Sequence, residues 1–315
     1  MFISEYCKNT DEILALFKDT FNREMSLDYW EWRYDKGPID EKYIKLMWAG
    51  KKLVGHYAIF PVYLRLNNEI LKTGFSMTTM TSPLYRGKGI FITLARSLYE
   101  DNFNNLNIIW GFPNENSIHG FRKYLGWKYL SDINMLLLKL DEFKNVKSNK
   151  FDNIVETDYF NKDYNDLIYS MSEKYKVIVN KDSSYFNWRY FSNPINKYYL
   201  YEYREDNELI GYCVCKLFKI DKHLEGDIVD IFCNNEESFK LIVLYSLQKM
   251  KKLGCIYANT WMMDIKYRQI LYNIGFQETN RITHFGLKLN SDNPNNETLL
   301  DFKNWYITMG DSDVF

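Results

Sequence analysis

The feature that most constrains this chain is an internal repeat. The segment Leu27-Asp28-Tyr29-Trp30-Glu31-Trp32-Arg33-Tyr34 returns as Ser183-Ser184-Tyr185-Phe186-Asn187-Trp188-Arg189-Tyr190, an offset of 156 (188 − 32). The same register holds without a gap for Pro38 and Pro194, Tyr43 and Tyr199, Leu53 and Leu209, and Gly55 and Gly211. Such self-similarity marks a duplicated folding unit, and 315 residues suffice for two cores. The repeat predicts a first domain over 1–140, a polar linker carrying Lys144, Lys147 and Lys150, a second domain over 154–290, and a C-terminal tail over 291–315.

Each copy reads as the same order of elements. A strand rich in β-branched and aromatic residues (Tyr43 to Ala49; Lys197 to Tyr203) leads through a polar turn to a second strand (Leu53 to Phe60; Leu209 to Leu217), which is a hairpin pattern. A third strand (Phe75 to Thr81; Asp227 to Cys233), a helix, a short strand (Ile108 to Phe112; Cys255 to Thr260), a second helix and a closing strand follow. The second helices end at Gly126-Trp127 and Gly275-Phe276. In the first copy Ile90, Phe91, Leu94, Ala95, Leu98 and Tyr99 form one apolar face at helical period. The second copy repeats that stripe with Phe239, Ile242, Val243, Tyr245, Leu247 and Met250.

Composition excludes several classes. A net charge of -1 and a pI near 6.5 argue against a nucleic-acid partner, which calls for a basic stripe. Five cysteines with no CxxC spacing give neither a disulfide framework nor a zinc site, so no metal is expected and the thiols suit a reducing, cytoplasmic setting. The first ten residues carry no apolar signal core and the apolar runs are too short to span a bilayer. A monomer or homodimer fits such a chain.

Chemistry concentrates between the third strand and the first helix of copy one, at Thr81-Ser82-Pro83-Leu84-Tyr85-Arg86-Gly87-Lys88-Gly89-Ile90. Two glycines permit close backbone approach to a ligand. The loop opens into a helix N-terminus, where unpaired N–H groups and the dipole favour an anion, and Arg86 and Lys88 add positive charge. This is a pyrophosphate cradle in kind, with neither the P-loop nor the dinucleotide glycine spacing. Copy two carries Cys233-Asn234-Asn235-Glu236-Glu237 there, with no glycine and no base, and its two glutamates satisfy the dipole and repel a pyrophosphate.

Arg86-Gly87-Lys88-Gly89 after Ser82-Pro83 resembles the pyrophosphate loop of the GNAT acyltransferases, and Asn114-Glu115-Asn116-Ser117 with Leu125-Gly126-Trp127 resembles that family's second motif. The resemblance spans both halves, strong in the first and weak in the second. It implies an α/β (α+β) fold of two tandem GNAT-like domains, each a mixed central sheet flanked by helices, of the type associated with bacterial surface polysaccharides. It further implies transfer of an acetyl group from acetyl-CoA to a primary amine of a small molecule, an amino sugar among the acceptors. Met80 and Thr81 would offer backbone N–H groups to the thioester carbonyl, and Arg86, Gly87, Lys88, Gly89, Ile90 and Asn116 would hold the cofactor.

Many members place a Tyr four residues before the glycine of the second motif; here that position is Arg122, and Tyr124 lies roughly 200° around the helix. Arg122 by charge, or Tyr85 or Tyr124 through water, would then stabilise the leaving thiolate. The ending resembles tandem enzymes whose C-terminal carboxylate serves as base, which nominates Asp311, Asp313 or the end of the chain at Phe315; the plainer reading is an aromatic tail, docked near the domain interface, that merely seals it. His56 reads as a hydrogen-bonded core histidine; His119 reads as a solvated helix histidine or a proton relay, and the twin Trp-Arg-Tyr segments as structural or as ligand clamps, the structural reading being favoured because both copies carry them. Two rival functions remain at this point: a FemAB-like aminoacyl transferase to a cell-wall precursor, against which the intact loop speaks, and a non-catalytic CoA- or ligand-binding module.

Overall fold

A computed structural model describes residues 1–67, 69–106, 108–290 and 294–315; the start of the spacer expected over Ser291 to Glu297 lies outside the described residues. The chain forms two compact units. Unit 1 comprises Met1–Leu64, Ile70–Ser131 and His284–Leu300; unit 2 comprises Arg65–Glu69, Asp132–Thr283 and Asp301–Phe315. The fold is mixed α/β, with helices flanking a mixed sheet, as the sequence predicts.

The first copy runs β1 (Phe2–Glu5), α1 (Thr10–Phe21), α2 (Leu27–Tyr34), β2 (Tyr43–Ala49), β3 (Lys52–Leu66), β4 (Glu69–Thr81), α3 (Ile90–Leu106), β5 (Ile108–Gly111), α4 (Ile118–Tyr124) and β6 (Lys128–Lys139). The repeated aromatic segment is thus helix α2, started by Ser26, whose side chain accepts the Tyr29 N–H at 3.2 Å. Strands β3 and β4 are longer than the sequence pattern suggests, because Val62, Leu64 and Leu66 continue the apolar alternation of β3.

In unit 1 the two faces of β3 carry different helices. Gly55, Tyr57 and Ile59 face α3, whose Ile90, Leu94, Ala95 and Leu98 are buried in the main apolar cluster. A Cβ on Gly55 would lie 2.4 Å from Ile90 Cγ2, so the glycine sets how closely α3 settles on the strand. His56 points to the opposite face, edge-on to the α2 residue Trp30 at 5.9 Å between ring centroids.

The second copy runs β7 (Ile154–Thr157), α5 (Asp163–Lys174), β8 (Val177–Val179), α6 (Ser183–Phe186, drawn on as a π-turn to Phe191), β9 (Tyr198–Glu205), β10 (Glu208–Ile220), β11 (His223–Cys233), α7 (Glu236–Lys252), β12 (Cys255–Thr260), α8 (Ile265–Ile274) and β13 (Gln277–Leu289). Strand β14 (Trp305–Tyr306) then adds parallel to β8. The core of unit 2 is aromatic: Phe160 stacks on Phe186 at 4.5 Å and Phe239 on Tyr267 at 4.0 Å.

The compact units do not end where the sequence repeat ends. Within unit 1, Gly286–Leu289 of β13 pair antiparallel with Gly111–Ile108 of β5. Within unit 2, Leu136–Lys139 of β6 pair antiparallel with Thr260–Tyr257 of β12. The second part of each copy's closing strand, from Asp132 in β6 and from His284 in β13, therefore belongs to the other unit, and the division expected at 140 and 290 departs from the units by that exchange. The physical reason is the open edge of each short fourth strand, which any antiparallel strand of matching register can cover.

Candidate functional site

The glycine loop of unit 1 follows β4 directly. A single 3-10 turn over Pro83–Tyr85 hands the chain to Arg86, and α3 begins at Ile90. Gly87 and Gly89 have φ of +76° and +73°, the left-handed region that side chains disfavour by about 1–2 kcal/mol. A Cβ on either would meet no atom within 4 Å. The glycines are required by backbone conformation, and the space beside them is open. Arg86 and Lys88 are exposed, with the Lys88 ammonium 4.7 Å from the Tyr85 ring centroid. The first turn of α3 carries no acidic side chain, so its N–H groups present uncompensated positive potential to the loop. Ile90 is buried and anchors that turn.

Immediately upstream, β4 is distorted. Its parallel ladder with β5 covers Gly74↔Ile109 and Phe75↔Trp110, and among the described residues β4 then continues to Thr81 without a β5 partner. At Thr78 φ is +49°, an outlier for a β-branched residue in a strand. Two bonds hold the distortion: His56 Nδ1–H donates to the Thr78 carbonyl at 2.8 Å and the Tyr34 hydroxyl donates to Thr78 Oγ1 at 2.8 Å. Burial pulls the His56 imidazole down to about 4, so the ring is neutral. With Nδ1 carrying the proton, Nε2 is left as a buried lone pair with no partner. Past the distortion, Met80 is buried and Thr81 half-buried at the mouth of the loop. The Ser82 N–H closes this end by donating to Val54 O at 2.9 Å.

The second motif forms α4 and the turn before it. Asn114 organises that turn, its Oδ1 accepting the N–H groups of Asn116 at 3.0 Å and Ser117 at 3.1 Å. Asn116 is exposed. Arg122 is also exposed and lies over the Tyr129 ring at 5.5 Å. Tyr124 is exposed and lies edge-on to His119 at 5.9 Å. Neither Arg122 nor Tyr124 is bonded to the distorted segment of β4.

The same positions in unit 2 are closed. Helix α7 is capped by Asn235, whose side chain accepts the Ser238 N–H at 2.9 Å, and Glu236 and Glu237 stand in its first turn. The counterparts of Tyr34, His56 and Thr78 are Tyr190, Tyr212 and Asp230; both hydroxyls donate to the Asp230 carboxylate, at 2.7 and 3.0 Å. The tail lies against this group. Lys181 bridges Asp230 at 2.8 Å and Asp311 at 2.9 Å, all three side chains being buried. Burial alone would lower the Lys181 ammonium, but the two carboxylates outweigh it and hold it above the ordinary lysine value. Asp311 also accepts the Thr308 N–H at 2.7 Å. Arg189 donates to Gly310 O at 3.2 Å, to Ser312 O at 3.0 Å and to Phe315 O. Asp311, nominated as a base, is spent on an ion pair and a backbone bond inside unit 2; Asp313 lies half-buried in the same tail. Sequence inspection missed Thr78 and its clamp, whose only signal was Tyr34 and His56 at repeat positions.

The comparisons bear on the part of the chain that carries the loop. Residues 7–130 match the family model described as acetyltransferase (GNAT) domain. The GNAT likeness extends to solved structures, at identities that speak for the fold. A GCN5-related N-acetyltransferase from Anabaena variabilis superposes with a TM-score of 0.70 at 14% identity, over 91% of this chain and 72% of that one. A probable N-acyltransferase from Enterococcus faecalis gives 0.68 at 12%, over 91% and 72%. A GCN5-related N-acetyltransferase from Kribbella flavida gives 0.62 at 10%, over 91% and 70%. No curated protein matches the chain in sequence. Among the described residues no helix is long and apolar enough to cross a membrane, and no group of His, Cys, Asp and Glu is arranged to hold a metal.

Proposed function

We propose that the chain is an acyl-CoA-dependent N-acetyltransferase with one cofactor site, in unit 1. The observation that carries this reading is the junction of β4 and α3. There a strand that leaves its parallel neighbour and is kinked at Thr78 runs straight into a left-handed two-glycine loop at an uncapped helix start. The loop from Arg86 to Gly89 takes the pyrophosphate on backbone N–H groups and basic side chains. The stretch of β4 near Met80 and Thr81, beyond its ladder with β5, offers N–H groups to the thioester oxygen as it gains charge.

In the reaction the lone pair of a neutral primary amine attacks the thioester carbonyl. The C–S bond then breaks, CoA leaves as thiolate, and the amine proton passes to solvent or to a base. The protein contributes by holding two substrates in line. Arg122 is an exposed cation on α4 suited to the departing thiolate; Tyr124 has no bonding that prepares it for the role. A small-molecule acceptor, amino sugars included, follows from the resemblance. The test is thiol release from acetyl-CoA across amino sugars, polyamines and amino acids, with calorimetric titration of acetyl-CoA in parallel. Absence of acetyl-CoA binding would remove the reading.

A further inference from the structure

The two copies differ on the α2/α6 face of the sheet in a way that names what unit 1 binds. Arg189 is fully committed to backbone oxygens of an extended segment, Gly310, Ser312 and Phe315, and also donates to Tyr198 at 3.1 Å. The tail reaches so close that a Cβ on Gly310 would lie 2.1 Å from the Tyr190 hydroxyl.

In unit 1, among the described residues, Trp30 Nε1, Arg33 Nε and His56 Nε2 on the equivalent face are buried with no hydrogen-bond partner. Trp30 and Arg33 sit three residues apart on α2, so they share a helix face. Trp30 in turn packs on His56. Arg33 is 4% exposed and donates Nη2 to the Tyr29 hydroxyl at 2.8 Å. Its charge lies over the Trp32 ring, 4.7 Å from the centroid, and among the described residues no carboxylate forms an ion pair with it. Buried polar atoms are almost always bonded. A buried guanidinium without a counter-ion is costlier still. The set is two N–H donors, one of them cationic, and one neutral acceptor lone pair.

We propose that this face of unit 1 is the acceptor site, and that Arg33 selects amines bearing an oxyanion, a carboxylate or a phosphate. In copy two the chain's own tail supplies oxygens to the corresponding arginine; in copy one the acceptor supplies them. His56 Nε2, fixed by the Nδ1–H bond to the Thr78 carbonyl, accepts from an N–H of the acceptor. Thr78 lies on the strand that leads to the cofactor loop, so the same residue links acceptor and acyl donor. The proposal rests on the acetyltransferase reading.

The test uses the full chain saturated with desulfo-CoA, which cannot acylate. Binding is measured by titration for glucosamine, glucosamine 6-phosphate, 2-amino-2-deoxyglucuronate, lysine and cadaverine. The expected result is at least tenfold tighter binding of an oxyanion-bearing member than of its neutral partner. Preference within the sugar set separates phosphate from carboxylate. Arg33→Gln should bring the ratio to within twofold while desulfo-CoA affinity stays unchanged. If that variant fails to fold, Arg33→Lys keeps the charge without the planar fork and should retain only part of the ratio. No discrimination by the wild-type chain, or discrimination that survives at Arg33, overturns the proposal. Failure of the wild-type chain to bind desulfo-CoA overturns the acetyltransferase reading instead.

Discussion

Replacing Gly89 separates the backbone requirement of the loop from its charge requirement. At φ +73° any L side chain is strained, and a Cβ there meets no atom within 4 Å. Gly89→Ala should therefore cost only the left-handed conformation, about 1–2 kcal/mol, which lowers Tm by a few degrees. Gly89→Asp carries the same strain and adds a carboxylate at the start of α3. Two like charges about 4 Å apart repel by about 1 kcal/mol in water and about 4 kcal/mol at a partly screened protein surface. Since 1.4 kcal/mol is a factor of ten, acetyl-CoA should bind the Asp variant at least about fivefold more weakly than the Ala variant. Raising the ionic strength should recover part of that loss. Calorimetric titration of both variants at two salt concentrations, with melting curves alongside, measures each quantity. Equal affinity for Ala and Asp, with matching melting curves, would refute a pyrophosphate at this helix start.

Three further outcomes follow from the geometry. Titration should give one acetyl-CoA per chain, with Glu236→Gln and Glu237→Gln leaving affinity unchanged and Arg86→Ala with Lys88→Ala weakening it; two equivalents per chain would contradict a capped α7. Lys181→Met leaves Asp230 and Asp311 buried without their cation, and should destabilise unit 2 by about 3–5 kcal/mol in urea unfolding at pH 7.5, with acetyl-CoA affinity preserved; a loss under about 1 kcal/mol would show that the ion cluster does not secure the tail. His56, held at about 4 by burial against an ordinary value of 6.5, stays neutral in the fold while the unfolded chain takes up a proton, so its stability contribution is present above pH 6.5 and is lost as pH falls toward 4. The total is about 3 kcal/mol; His56→Gln should flatten the stability profile in that window, and an unchanged slope would place the histidine in contact with water.

Much of this was legible before any coordinates. The α3 stripe, both hairpins and the glycine loop depend on local periodicity and on conformations that only glycine adopts cheaply, and such signals are written residue by residue. The capped start of α7 was equally visible in Asn235-Glu236-Glu237, because a helix start is capped by its own neighbours. The distortion at Thr78 was not legible. A β-branched residue with positive φ has no composition signature; it exists because His56 and Tyr34, 22 and 44 residues away, hold it. The closing strands likewise carry no mark of which sheet they complete, since β6 and β13 present similar alternation and the choice of edge is made by the folded chain. The tail was read as aromatic and docking from its composition, yet Asp311 became a structural ion because Lys181 and Asp230 meet it from distant parts of the sequence. Sequence by itself determined the internal repeat and the left-handed glycine loop, which rest on neighbours along the chain. Tertiary structure decided where strands close, which carboxylates are buried and which polar atoms on α2 are left to a ligand, because each depends on groups that only folding brings within bonding distance.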